Sequence, residues 1–354
     1  MRFLLWVNVG GSALKKKKKG VSYAKWGYIF ALPFCIAYLI FMIYPICYTF
    51  TIGFTDLTDK LQMKMALDSS VKMQLLDDVF ANYKFVLTDP NFWKSLRNTL
   101  IIWGMNFAPQ IILALVLAVW FTNSRMKIRG KGAFKVLFYM PNIITAATIA
   151  MLFTQLFDYN MGPVNALLKN LGVIGENSNI NFFENKWAAR GIIAFVQFWM
   201  WYGYTMIILI SGILGISPEL FEAADIDGAS GWQKFIYVTL PNLKTIMLYT
   251  LVTSMIGGMQ MFDIPFMIAG QGGLRSEFRT VSVYIFEMSF QGGKLYNRAS
   301  AASMLMFVMI AILAAIIFFM LRDKDEIAQH RIEKAQTKAF KKQLKEQKAK
   351  GGVQ

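Results

Sequence analysis

Two groups of residues in this sequence have the types and spacing to do chemistry. The first is Gln197-Phe-Trp-Met-Trp-Tyr-Gly-Tyr204, which puts Trp199, Trp201, Tyr202 and Tyr204 within two helical turns. Aromatic faces joined to hydroxyls and an amide suit a ligand with apolar C–H faces and many hydroxyls, that is, a sugar. The alternative is an aromatic belt at a lipid–water interface. A polar run follows in the next apolar segment: Ser254, Gly257, Gly258, Gln260 and Asp263. Asp263 is the only acid well inside an apolar segment, which makes it a functional candidate by default. A structural hydrogen bond to a neighbouring helix is its bland alternative. A central Asp costs roughly 2.5–3.5 kcal/mol on insertion, and nine Leu, Ile, Val or Phe residues at roughly −0.3 to −0.6 kcal/mol each offset it. Asn106, Gln110, Asn142 and Gln155 are further polar candidates, each read first as helix-packing glue. The second group is acidic: Glu219, Glu222, Asp225 and Asp227 crowd together between two apolar segments.

The remaining inventory excludes most covalent chemistry. No Gly-x-x-x-x-Gly-Lys-Ser/Thr loop occurs, so ATP is not hydrolysed here by that route. The one histidine, His330, lies in a basic tail, which removes Ser-His-Asp, Cys-His and zinc-protease schemes. Cys35 and Cys47 share one predicted helix, ~18 Å apart along its axis, too far for a disulfide. The reading is a chain without a catalytic site, and with no cofactor or metal of its own.

The elements that must position these groups are membrane helices. Of 354 residues, 56% are hydrophobic, which fits a polytopic membrane protein. Six apolar segments are long enough to cross a bilayer: Trp26–Phe50, Thr99–Trp120, Val136–Phe157, Gly191–Ile216, Ile246–Ile268 and Ala299–Leu321. Prolines 33, 45, 109, 141 and 265 sit in or near them as candidate kinks. The net charge of +16 is concentrated at Lys15–Lys19, Arg125–Lys135 and Arg322–Lys350, flanking apolar segments. That is positive-inside patterning and predicts both termini in the cytoplasm. No aromatic-interleaved basic patch accompanies it, so no nucleic acid partner is expected. The predicted organisation is a basic tail over 1–25, a membrane domain over 26–321 and a second basic tail over 322–354. Gln197–Tyr204 lies more than two turns before the segment's cytoplasmic end at Ile216, so it falls near mid-membrane.

The acidic group reads as helix, turn, helix over 217–241. Ser217-Pro218 supplies an N-cap and first-turn proline. Gly228 can leave the helical region and end that helix. Ser230-Gly231-Trp232-Gln233 fits a capping box. Trp232, Phe235, Ile236 and Thr239 make one mainly apolar stripe, and Pro241 is expected to stop the helix. An acid-decorated helical knob on a membrane protein is a handle for another protein. An amphipathic helix lying on the membrane surface would be basic instead.

This stretch resembles the cytoplasmic "EAA" loop of permease subunits of bacterial ABC importers. It carries Glu222-Ala223-Ala224, Asp227-Gly228-Ala229, Phe235 and Leu240-Pro241. Further motifs, in order, resemble the maltose-type sugar permeases: Asn82-Tyr83, Asn98-Thr99-Leu100, Leu137-Phe-Tyr-Met-Pro141, Asn160-Met-Gly-Pro-Val-Asn165, Phe262-Asp263 and Gly270-Gln-Gly-Gly273. The resemblance implies an all-α, six-helix, type I importer permease in a bacterial inner membrane. It implies a second homologous permease chain, two ATP-binding subunits docked on the loop, and an extracellular solute-binding protein that delivers sugar. ATP would be bound by the partner subunits. Aligned through the loop, the family's substrate contacts fall on Gln197, Trp201, Tyr204, Ser254, Gly257 and Gly258. Tyr204 and Ser254 keep the residue type, whereas the two glycines stand where an aromatic and an amide are expected and would enlarge the pocket. The same machinery for glycerol phosphate or a peptide is one alternative. An ion-coupled secondary transporter is another, and it would need no ATPase handle.

Overall fold

The computed structural model describes residues 24–123, 129–269 and 275–321, with 334 and 336–338 of the tail. Both tails for the most part, the basic stretch 124–128 and Gly270–Gly273 lie outside the described residues. Regular structure among the described residues is helical, apart from one isolated antiparallel bridge between Thr55 and Leu75. The chain divides into two units, Met1–Thr51 and Ile52–Gln354.

In the first unit, the apolar helix over Trp26–Ile52 contains a π-turn at Leu39–Ile43, one residue before Pro45. Proline has no N–H to give to the carbonyl four residues back, and its ring crowds that carbonyl. A single wide turn, closed by Tyr44 N–H on the Leu39 carbonyl, takes up the defect and leaves the helix continuous.

In the second unit the spans are Pro90–Thr122, a bent pair Lys131–Ile143 with Ala146–Leu156, Lys186–Leu214, Lys244–Ile268 and Tyr296–Met320. Counting the bent pair once gives the six crossings expected. The ends lie beyond the apolar limits because caps extend them. Asp89 Oδ1 accepts from Asn91 N ahead of Pro90, and Asn185 Oδ1 accepts from Trp187 N and Ala188 N.

The third span, expected over Val136–Phe157 with Pro141 as a candidate kink, is sharply bent. Its two arms meet at 88°. The chain tightens into a 3-10 turn at Met140–Ile143, which contains the buried Pro141, and Ile144 is extended. Thr145 then caps a new helix. The first arm crosses the fourth span at Gly203, where a Cβ would collide with the Phe138 carbonyl. Only a residue without a side chain lets the two backbones come this close.

The second and fourth spans form the most extensive helix pair. Their lower halves interlock through Ala114, Leu117, Ala118 and Phe121 against Tyr202, Met206, Leu209 and Ile213. Gln110 Nε2 donates to Thr205 Oγ1 across the pair at 2.7 Å. Such interhelical bonds contribute about 0.6 kcal/mol each in a membrane. The sixth span packs Ala301, Ala302 and Met306 on Met255 and Met259 of the fifth, with Val86 and Phe92.

Candidate functional site

The fifth span is interrupted. Its first helix, Lys244–Met259, ends at Gln260, and a short helix restarts at Asp263 and runs to Ala269. The interruption opens a cavity of about 380 Å³ between the second, fourth and fifth spans. Gln197, Trp201, Tyr204, Ser254, Gly257, Gly258, Gln260 and Asp263 all line it. On the fourth span the lining residues Gln197, Trp201, Tyr204, Thr205 and Ile208 follow one helical stripe. Trp201 and Tyr204 meet edge-on, with centroids 5.8 Å apart and planes at 89°. Both rings are partly exposed, at 43% and 38%.

Trp199 is the exception and corrects the sequence reading. Two residues on from Gln197 it points about 200° away around the helix. It packs with its ring centroid 5.9 Å from that of Phe153 and serves both adjoining apolar clusters. Asp263 lines the cavity from the restart of the helix, exposed in its first turn.

The cavity also holds residues not singled out as ligand contacts. Trp103, Asn106 and Gln110 reach it from the second span, and Tyr249, Thr250 and Thr253 from the fifth. Trp103 stacks on Phe107 with planes 24° apart, and its Nε1 donates to Ser254 Oγ at 3.4 Å. The two glycines behave differently. Gly257 faces open space, whereas the Trp103 ring occupies the place a Cβ on Gly258 would take. Gly257 therefore leaves room at the cavity, while the space at Gly258 is filled by Trp103. The signal available in sequence was the spacing Trp103, Asn106, Gln110, which puts one indole and two amides on one face.

The segment after the interruption is clamped from the N-terminal ends of the second and fourth spans. Lys94 Nζ pairs with Glu277 Oε1 at 2.6 Å. The buried Arg190 donates to Asn98 Oδ1 at 2.7 Å and to the Glu277 carbonyl at 2.9 Å. Asn98 Nδ2 donates to the carbonyls of Ser276 and Arg279, both at 3.1 Å. Thr280 Oγ1 donates to the Met261 carbonyl at 2.9 Å, inside the interruption itself. Lys94, hydrogen-bonded to Glu277, holds that carboxyl below its ordinary range.

The acidic knob is the second feature. Pro218–Ile226 is a helix whose N-cap Ser217 makes no side-chain cap bond, so Pro218 alone marks the start. Gly228 has φ 73°, and Ala229 N–H returns to the Ala224 carbonyl at 2.9 Å, a Schellman-type stop. The capping box is present: Gln233 N donates to Ser230 Oγ at 3.2 Å and Ser230 N to Gln233 Oε1 at 2.7 Å. Lys234 Nζ closes on Asp225 Oδ1 at 2.6 Å and ties the two helices together. Pro241 does not stop the helix. A π-turn at Phe235–Thr239, again one residue before the proline, carries the chain on to Asn242.

Glu222, Ala223 and Asp227 are exposed, Ala224, Ala229, Phe235 and Leu240 half-buried, and Pro241 exposed. The expected stripe is graded, from Trp232 at 71% exposed to Thr239 at 5%. Ile226 and Tyr237 are also exposed, at 87% and 76%. Acids are thus interleaved with exposed large apolar groups on this surface. Glu222, Asp225, Lys234 and Phe235 also border a second cavity of about 570 Å³.

Residues 86–324, from the second span through the sixth, match the family described as the binding-protein-dependent transport system inner membrane component. The chain belongs to this family. The permease is 29% identical over 299 residues to the lactose transport system permease protein LacF of Rhizobium radiobacter, covering 84% of this chain and 94% of LacF. It is 26% identical over 286 residues to the arabinooligosaccharides transport system permease protein AraP of Bacillus subtilis, covering 80% and 85%. Its fold matches a chain of a bacterial ABC transporter involved in the import of the acidic polysaccharide alginate, with a TM-score of 0.68 at 22% identity, covering 86% and 97%. The type I importer permease fold is thus established for this chain.

Proposed function

We propose that this permease forms half of the passage of an ATP-driven oligosaccharide importer in a bacterial cell membrane, with both termini cytoplasmic. The observation that carries the reading is the cavity at the interruption of the fifth span. It brings Gln197, Trp201, Tyr204, Ser254 and Gln260 together with Trp103, a set of amides, hydroxyls and aromatic faces suited to a glycan. The permeases LacF and AraP, to which the chain is similar, are named for sugars. A second, homologous permease chain supplies the other wall. An extracellular binding protein delivers the sugar, consistent with the family's description.

Two ATP-binding subunits dock on the knob over 217–241, with Glu222, Ala223, Ala224, Asp227, Gly228, Ala229, Phe235, Leu240 and Pro241 as the coupling residues. The permease binds no cofactor and does no covalent chemistry itself. Its work is to expose the cavity alternately to the two sides as the ATPase subunits close and open.

The test is uptake by the complete importer in proteoliposomes. Tyr204→Phe and Ser254→Ala each remove one hydrogen-bonding group from the cavity, at about 1–3 kcal/mol for a group left unpaired. Uptake is expected to drop or change sugar preference while the variants still copurify with the other subunits. Uptake driven by an ion gradient without ATP would sink the reading. So would glycerol phosphate or a peptide as the only solute moved.

A further inference from the structure

The charges around the cavity narrow the substrate class, and the argument rests on the sugar reading above. Among the described residues lining the cavity, Asp263 is the only one that carries a formal charge, and no Lys or Arg lines it. The hydrogen-bonding groups, Gln197, Tyr204, Ser254 and Gln260, are neutral. A group of cations stands around Glu277, with Arg97 and Lys186 close to Arg190 and Glu277, and none of the group lines the cavity. Lys94 pairs with Glu277, Arg190 holds Asn98 and the Glu277 carbonyl, and Arg279 pairs with Glu287 at 3.2 Å.

A carboxylate or phosphate leaving water needs charge-assisted donors to replace its hydration. The short helix that restarts at Asp263 adds no such donors: Pro265 has no N–H, Phe266 N–H is bonded to the Phe262 carbonyl, and the chain's own carboxylate stands in the first turn. Neutral glycans meet no such obstacle, because amides and hydroxyls replace their water contacts and Trp103 and Trp201 cover their C–H faces.

We propose that the passage is a charge filter: it accepts neutral glycans and rejects anionic ones, such as uronate-bearing or phosphorylated oligosaccharides, with Asp263 as the residue that sets the sign. The filter belongs to the permease itself and acts in addition to any choice made by the binding protein.

The test reads the cavity's potential without the binding protein. In the complete importer, with modification read on this chain alone, Cys35→Ser and Cys47→Ser remove its native thiols. A single thiol is then placed at Gly257→Cys, where an added side chain meets open space, or independently at Thr253→Cys. Cationic and anionic methanethiosulfonates of similar size are compared, each rate divided by that on a free thiol. The cationic reagent is expected to react about tenfold or more faster, and Asp263→Asn to bring the two towards parity. Equal rates at both positions, or no response to Asp263→Asn, would overturn the filter.

A second arm compares uptake of a neutral trisaccharide with that of its uronate counterpart. The change in their ratio on Asp263→Asn or Asp263→Lys cancels the binding protein's own preference, and it is expected to move towards the uronate. Uronate carried by the wild type at the neutral sugar's rate overturns the filter and leaves the sugar reading standing. A cationic preference at the thiol with no uptake of any glycan overturns the sugar reading instead.

Discussion

The indole of Trp103, on the second span, occupies the place where residue 258, on the fifth, would carry a side chain. The same indole donates to Ser254 Oγ one turn earlier on the fifth span. Gly258 and Trp103 thus form a notch and its filling, and together they set one wall of the cavity. Gly257, its neighbour in sequence, faces open space, because successive helical positions point about 100° apart.

The two glycines should therefore respond differently to the same change. Gly258→Ala forces the Trp103 ring to move and is expected to cost about 1–3 kcal/mol through overpacking, seen as a lower melting temperature of the purified complex. Gly257→Ala should leave the melt unchanged, and Gly257→Phe should block larger sugars before smaller ones. Equal melting temperatures for the two alanine variants would show that the notch is not a constraint.

The coupling knob depends on a backbone conformation as well as on charge. Gly228 at φ 73° lies where L-residues are strained by about 1–2 kcal/mol, and proline cannot adopt that angle at all. Gly228→Pro and Glu222→Lys are both expected to lose the ATPase subunits on affinity purification while the two permease chains remain together. Normal uptake by both variants would remove the knob from the coupling mechanism.

The clamp predicts sensitivity to acid. Glu277 has its pKa lowered, first by its hydrogen bond from Lys94. A lowered folded-state pKa contributes stability that is present above the unfolded value of about 4.3 and is lost as pH falls through the folded value. Melts between pH 7 and pH 3 should show this loss, and Glu277→Gln should abolish that component. Asn98→Leu removes the acceptor of the buried Arg190 and the donor to two carbonyls. It is expected to destabilise by about 1–3 kcal/mol or more. Melts of Asn98→Leu that match the wild type would exclude the clamp as a stabilising element.

Orientation can be checked on exposed positions of the connections. In a background with Cys35→Ser and Cys47→Ser, single cysteines replace Ser69, Asn177 and Gln291, all exposed, or Ser124 on the opposite side. A membrane-impermeant thiol reagent applied to intact cells should label the first three and spare the fourth. Labelling at Ser124 from outside would invert the topology.

What the sequence determined by itself is whatever depends on near neighbours or on composition. The spans follow from apolar length. The knob's stop at Gly228 and its capping box at Ser230–Gln233 are set by contacts within four residues, so residue types alone specify them. The fourth-span stripe through Gln197, Trp201 and Tyr204 was legible as a cluster, though the helical period also puts Trp199 on another face. Tertiary structure decided the rest. Pro141 marked a weak point, but the 88° bend depends on Gly203 of another helix admitting the first arm. Pro45 read as a kink within a span and Pro241 as a helix stop, and both are accommodated by a π-turn that ends just ahead of the proline and keeps the helix continuous. Asn98-Thr99 read as a faint motif. Its meaning lies in the segment 276–281, which reaches it only once the chain has folded back: Asn98 binds two of its carbonyls and Thr99 Oγ1 accepts from Val281 N. Trp103 became a cavity wall for the same reason. A side chain's role at a packed interface is set by what faces it, and the glycine that faces Trp103 lies three spans further along the chain.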